Sequence, residues 1–256
     1  MLVEQAWRNS SSPIFGYEPT TKRKDEIKST EDRVEGSIHP ALQSYDEKWK
    51  MELHYKGPSK IQRDGGKFHS QVGQDKTVMS IFENKKKGYF VDCAANDAVH
   101  LSNTLALETH LGWGGLCIEP HPKYHTGYTN RRCTLVDAVV GQKDDDEITF
   151  YFKDAMSGIT GFDQGKSKNG TKFRTVSLET LFDKLRLPPV IDYLSLDVEG
   201  AELHIMEKFP FHKYKFQVMT VERPKMLRVL LEKHGYVYVM DHGGCVLFVL
   251  WVHFVK

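Results

Sequence analysis

Acidic and amide side chains gather where apolar runs give way to turns. Asp92, Asn96 and Asp97 belong to "GYFVDCAAND", Glu119 follows "GLCI", Asp137 follows "TLV", Asp197 and Glu199 follow "YLSL", and Glu222 follows "FQVMTV". A carboxylate that ends a strand beside a tight turn can accept both hydroxyl protons of a ribose. Glu119, between Gly114-Gly115 and Pro120, is placed for this. Carboxylates meeting at neighbouring strand ends can take a proton from a hydroxyl or offer hard oxygen ligands to Mg2+ or Mn2+. Asp197, Glu199 and Glu222 form the set for either task, although Glu199 and Glu222 would equally serve as caps of helices starting at Gly200 and Pro224. Of the 12 histidines, His100, His121 and His204 fall near these ends, and His100 is the best placed as a base.

The first turn discriminates between cofactors. A dinucleotide site uses G-x-G-x-x-G, so that backbone approaches a pyrophosphate at a helix N-terminus. Here no glycine occurs between Val91 and Leu111, and Asn96-Asp97 sets a carboxylate where a pyrophosphate would be repelled. A carboxylate with an amide suits the cationic methionine end of S-adenosylmethionine.

Positioning these groups requires alternating strands and helices. After a rough helical stripe at Ser70–Asn84, the pattern gives a strand at Tyr89–Cys93, a helix from Ser102, "GLCIE" as a second strand, and a helix opening at Pro122. "TLVDAVV", "EITFYF", "VIDYLSLDV" and "FQVMTVE" read as further strands, with short helices after Ser177, Gly200 and Pro224. "GYVYVMDHGGCVLFVLWVHFV" reads as a closing antiparallel hairpin. The alternation predicts a mainly parallel sheet with helices on both faces and ligands beyond the strands' carboxyl ends. Upstream, residues 1–69 read as an arm, partly disordered, with a helix from His39 to His54; residues 70–256 form the domain.

A chain of 256 residues with 35 basic and 34 acidic side chains has no global attraction to nucleic acid, and no nucleic-acid partner is expected. No apolar run is long enough to span a membrane, and the first residues do not read as a secretory signal. A soluble, cytoplasmic protein is favoured, with the Golgi lumen left open if an anchor upstream was removed. Cys93, Cys117, Cys133 and Cys245 lack C-x-x-C spacing and read as buried free thiols rather than disulfides or a zinc site. The loop carrying Lys166, Lys168, Lys172 and Arg174 reads as solvated. Trp49, Trp113 and Phe162 are candidates to stack on a sugar ring, with packing as the default.

Two blocks carry a family resemblance. "FVDCAANDAVHLSNTLALETHLGWGGLCIEPHPKYH" resembles the opening of FkbM-type methyltransferases, and "IDYLSLDVEGAELHIMEKF" resembles their fourth-strand signature; "SQVGQDK" and "SGI" also match. The resemblance covers about Ser70 to Gly235, and "DVEG" is its most specific part. It implies a class I, Rossmann-like sheet of seven strands, mainly parallel with a C-terminal antiparallel hairpin, and S-adenosylmethionine-dependent O-methylation, often of sugars. Carried over by position, Asp92, Ala94, Asn96, Asp97, Ser102, Asn103, Glu119, Asp137 and Ala138 would hold the cofactor. Asp197 and Glu199 would face the reacting methyl. Ala94 and Ala98 depart from the family's usual glycines, and alanine costs of order 1 kcal/mol wherever the backbone is left-handed.

The expected function is O-methylation of a sugar or glycan hydroxyl. The alternatives are a small-molecule or lipid hydroxyl as acceptor, or a methyltransferase-like domain that binds without catalysing. Acceptor identity and oligomeric state are not legible.

Overall fold

The computed structural model describes residues 52–54, 67–162, 170–225, 227–242 and 244–250. Most of the expected arm, Trp49, Lys166 and Lys168 lie outside them. Within them, the central strands, which are buried on both faces, are written as nearly continuous apolar runs. The strands of the main sheet are β1 (Glu52–His54), β2 (Tyr89–Cys93), β3 (Gly114–Ile118), β4 (Thr134–Asp137), β10 (Val190–Leu196), β11 (Lys215–Glu222), β12 (Tyr236–His242) and β13 (Cys245–Leu250). They make one sheet in the order β1-β4-β3-β2-β10-β11-β13-β12. The central run from β4 to β11 is parallel, and β13 is antiparallel to both β11 and β12. The seven expected strands and their closing hairpin are present, with β1 added.

Alternate residues of each strand face opposite layers. Phe90, Cys117, Leu135, Tyr193 and Val218 pack with Val78 and Met79 of α1 (Gln74–Ile81) and Leu107 and Leu111 of α2 (Leu105–Leu111). Their neighbours Val91, Leu116, Val136, Leu194 and Met219 pack against the other layer. That layer holds α4 (Leu178–Leu185), α5 (Glu202–Met206) and α6 (Leu227–Lys233); α3 (Pro122–His125) lies between β3 and β4 in sequence. A minor sheet, β7-β6-β8, is formed by β6 (Glu147–Tyr151), β7 (Gly158–Ile159) and β8 (Thr171–Arg174).

Three expectations are corrected. Glu52–His54, placed at the end of a helix, instead pair antiparallel with β4 and satisfy its open edge. "TLVDAVV" is not one strand: it breaks at Ala138-Val139, and β5 (Val140–Gly141) pairs with β9 (Val176–Ser177). Cys117 and Cys133 form a disulfide, with Cα atoms 5.8 Å apart. Cys117 is in register with Leu135, so Cys133, two residues earlier, faces the same way, a proximity their spacing in sequence conceals. Cys93 and Cys245 are free thiols, as expected. Trp113 is fully buried and its indole Nε1 donates to the Lys85 carbonyl at 2.7 Å, which removes it as a sugar platform. A Cβ on Gly88 would lie 2.4 Å from that indole, so glycine is required there. Among the described residues no helix is long and apolar enough to cross a membrane.

Candidate active site

Beyond the carboxyl ends of β2, β3, β10 and β11 lies a cavity of about 330 Å3. Its first wall is the turn after β2. Ala94 and Asn96 both have left-handed backbones, at φ 61 and 55. The turn is tied to the strands around it: Ala95 N donates to the Ile118 carbonyl at 3.0 Å, and Asn96 N donates to Glu119 Oε2 at 2.7 Å. Glu119 Oε1 accepts from His121 N, also at 2.7 Å. The buried Tyr128 hydroxyl reaches the carbonyls of Ala95 and Asn96 at 2.9 and 3.0 Å. Turn and carboxylate therefore form one rigid unit. Burial pushes the Glu119 carboxyl up to about 7, against the lowering effect of its two backbone donors.

Asp92 lies beneath this turn. It is buried, its carboxyl is raised by desolvation, and Oδ2 accepts from the Thr104 hydroxyl at 2.7 Å. Behind Thr104 stands a fully buried arginine. Arg131 donates to Thr104 Oγ1 at 2.9 Å, to Ser102 Oγ at 3.1 Å and to the Ala98 carbonyl at 2.7 Å, and pairs with Glu108 at 2.9 Å. Each of these polar atoms would be costly to bury alone. The lattice fixes the start of α2 against the turn.

Of the residues that the resemblance assigned to the cofactor, Asp92, Ala94, Asn96, Asn103, Glu119 and Ala138 line the cavity. Asp97, Ser102 and Asp137 do not. Asp97 Oδ1 closes its own turn by accepting from Val99 N and His100 N at 2.9 and 2.8 Å. Ser102 Oγ accepts from Leu105 N at 3.1 Å and from Arg131. Asp137 lies 4.0 Å from His125 Nδ1. His100, expected as a base, is exposed and outside the cavity wall, because the Asp97 turn carries it to the surface. His121 and His204 do not line the cavity either, and the His204 ring packs at 5.4 Å from Phe162.

The opposite wall is acidic. Asp197, Glu199 and Glu222 line it, and one carboxylate oxygen from each lies within 4.8 Å of the others. The expected caps do not account for them. Instead Glu202 accepts from Val198 N and Gly200 N at the entry to α5. Crowding and burial raise the whole group. Glu199 is pushed up to about 7 by desolvation and then by Asp197 and Glu202. Glu202 is likewise pushed to about 7, chiefly by burial. Asp197 and Glu222 face each other and are both raised, desolvation leading in each case.

Three further parts of the wall complete it, of which sequence reasoning gave a role only to the loop from Ser157, as a place for acceptor specificity. Arg223 places Nη2 at 3.0 Å from Glu199 Oε2 and 3.3 Å from Glu222 Oε1. The contact is electrostatic rather than an aligned hydrogen bond, since Glu199 Oε2 accepts none among the described residues. Gln74, buried at the start of α1, sends Nε2 to Cys245 Sγ at 3.4 Å. Residues Asp154 to Ile159, in the turn from β6 to β7, cover the cavity, with Asp154 paired to Lys123 across its rim. The "SQVGQDK" and "SGI" matches were the only signals for the last two. Lys172 pairs with Glu147, and Arg174 donates to the Asp145 carbonyl at 3.0 Å, so these two cations of the loop are used locally.

The strand order, with a cavity at the parallel strands' carboxyl ends, is that of the class I methyltransferase fold. A family model described as methyltransferase FkbM domain matches residues 92–238, more than half of the chain. The chain belongs to the FkbM methyltransferase family. Among solved structures, precorrin-6y C5,15-methyltransferase from Geobacter metallireducens GS-15 is similar at 14% identity and a TM-score of 0.39, over 83% of this chain and 98% of that one. A comparison with curated proteins finds no match. Family membership implies S-adenosylmethionine as the methyl donor.

Proposed function

We propose that the chain is an S-adenosylmethionine-dependent O-methyltransferase whose acceptor is a hydroxyl, with a sugar or glycan as the favoured carrier. The observation that carries this reading is one cavity lined at one end by Glu119 and the turn after β2, and at the other by Asp197, Glu199 and Glu222. Its volume of about 330 Å3 falls within the usual range of small-ligand sites, roughly 300–1,000 Å3.

The donor set fits the cofactor. Glu119 has both oxygens fixed by backbone N–H groups, leaving lone pairs to accept from the ribose hydroxyls. Asp92 and the amide of Asn103, whose Oδ1 is buried without a partner among the described residues, would face the methionine end. The bound cofactor supplies an electrophilic methyl on a sulfonium. The chain's part is to align the acceptor oxygen and take its proton. A C–O bond forms as the C–S bond breaks, the bonding pair returns to sulfur, and the hydroxyl proton passes to a carboxylate of the acidic wall. Glu199, pushed up to about 7, is matched to that task near neutral pH. A neutral or hydroxyl-rich acceptor suits this wall, and a phosphorylated one would be repelled.

The test is transfer of a labelled methyl from S-adenosylmethionine to a panel of free sugars, glycans, amines and carboxylic acids. Label in an alkali-stable ether on a sugar is expected. Label confined to amines or esters would overturn the O-methyl reading.

A further inference from the structure

Asp197, Glu199 and Glu222 offer the oxygen donors of a divalent-cation site, and among the described residues their donor atoms lie within 4.8 Å of one another. A divalent ion there would need oxygens at about 2.0–2.6 Å. The chain already brings its own cation to this point: Arg223 Nη2 approaches Glu199 Oε2 at 3.0 Å and Glu222 Oε1 at 3.3 Å, addressing two of the three donors at once. The backbone is shaped for this meeting. Glu199 and Arg223 follow the ends of the paired parallel strands β10 and β11, and both are left-handed, at φ 55 and 51. Two non-glycine residues in that strained region call for a compensating interaction, and the ion pair between them provides one. A guanidinium stays charged at any relevant pH and presents donors to two carboxylates together. A divalent ion entering the cluster would have to displace it or bear its repulsion at close range.

We propose that Arg223 is the resident cation of this acidic wall: its guanidinium occupies the place of a divalent ion, positions Glu199 and Glu222, and makes methyl transfer independent of metal. The claim about turnover rests on the O-methyltransferase reading above; the claim about metal exclusion does not.

The experiment is an EPR titration of the full chain with Mn2+ alone, for wild type, Arg223→Lys, Arg223→Met and the double variant Arg223→Met/Asp197→Asn. Far-UV circular dichroism and a thermal melt report that each variant is folded. Wild type and Arg223→Lys are expected to take up no stoichiometric Mn2+. Arg223→Met is expected to bind one ion, and the double variant to lose it. In parallel, chelation should leave wild-type turnover unchanged, Arg223→Met should lower kcat by about tenfold or more, and Arg223→Lys should recover part of it. Wild type binding Mn2+ as tightly as Arg223→Met would overturn the proposal, and so would an Arg223→Met chain that binds none. Should no acceptor in the panel be methylated, the titration still decides metal exclusion, so the two readings fail separately.

Discussion

The two ends of the cavity are built by different means. At the end of β2 and β3 the polar atoms are held by backbone: Glu119 accepts from two main-chain N–H groups, and the turn beside it is pinned by Tyr128 and Arg131. At the end of β10 and β11 they are held mainly by other side chains: three carboxylates and one guanidinium, with Glu199 Oε2 and Glu222 Oε2 lacking an aligned donor among the described residues. The first arrangement cannot adapt, which suits a ligand that is always the same. The second leaves charge uncompensated, which suits a group that must bind an acceptor and trade a proton. On the proposed function, the end held by backbone takes the cofactor and the end held by side chains does the chemistry.

The largest expected effect breaks the chemical end alone. Asp197→Asn should lower turnover by about 10²–10⁴ while leaving affinity for S-adenosylhomocysteine nearly intact. Steady-state kinetics beside calorimetry reads both. Wild-type turnover in this variant would make Asp197 a structural group and remove the contrast.

A smaller effect sharpens the cofactor end. The Glu119 carboxyl, at about 7 in the free protein, must be ionised to accept two ribose hydroxyls well. Binding therefore favours the charged form, and protonation competes with it. Affinity for S-adenosylhomocysteine should fall by up to about tenfold per pH unit below 7 and level off above it. The demethylated product carries no sulfonium, so the acidic wall contributes little to this profile. A flat affinity between pH 5.5 and 8 would show that Glu119 does not change charge on binding.

The smallest effect concerns the two alanines. Ala94 is left-handed, a conformation that costs an L-residue about 1–2 kcal/mol. Ala98 has no positive φ and is buried, and a Cβ on Gly127 would sit 2.8 Å from its methyl. The extra methyl at 98 is thus accommodated by a glycine elsewhere. Ala94→Gly should be neutral or stabilising by up to about 1 kcal/mol, because relieved strain offsets glycine's unfolded-state entropy. Ala98→Gly should destabilise by about 1 kcal/mol through lost packing and added entropy. Thermal melts of the two variants moving the same way would show that their backbones are not distinguished as described.

The sheet was legible because strands buried on both faces leave unbroken apolar runs, and "FVDC", "GLCI", "YLSL" and "FQVMTV" each became a central strand. Glu119 and Asp197 were legible for the same reason, as charged groups ending such runs. What escaped was whatever depends on two segments meeting. Arg223 reads in sequence as one more surface cation until β10 and β11 lie side by side. The Cys117–Cys133 bond needs the β3–β4 register. Glu52–His54 needs the open edge of β4. His100 failed in the opposite direction: it is close to the site in sequence, but a local turn at Asp97 carries it away.

The central claim is that Glu119 and the turn after β2 hold S-adenosylmethionine. Calorimetric titration of S-adenosylhomocysteine into wild type and Glu119→Ala tests it most directly. Two charge-assisted hydrogen bonds are at stake, worth about 2–4 kcal/mol together. Wild type is expected to bind one equivalent, and Glu119→Ala to bind about 30- to 1,000-fold more weakly. Equal affinity in the two proteins would contradict the account and take Glu119 out of the site.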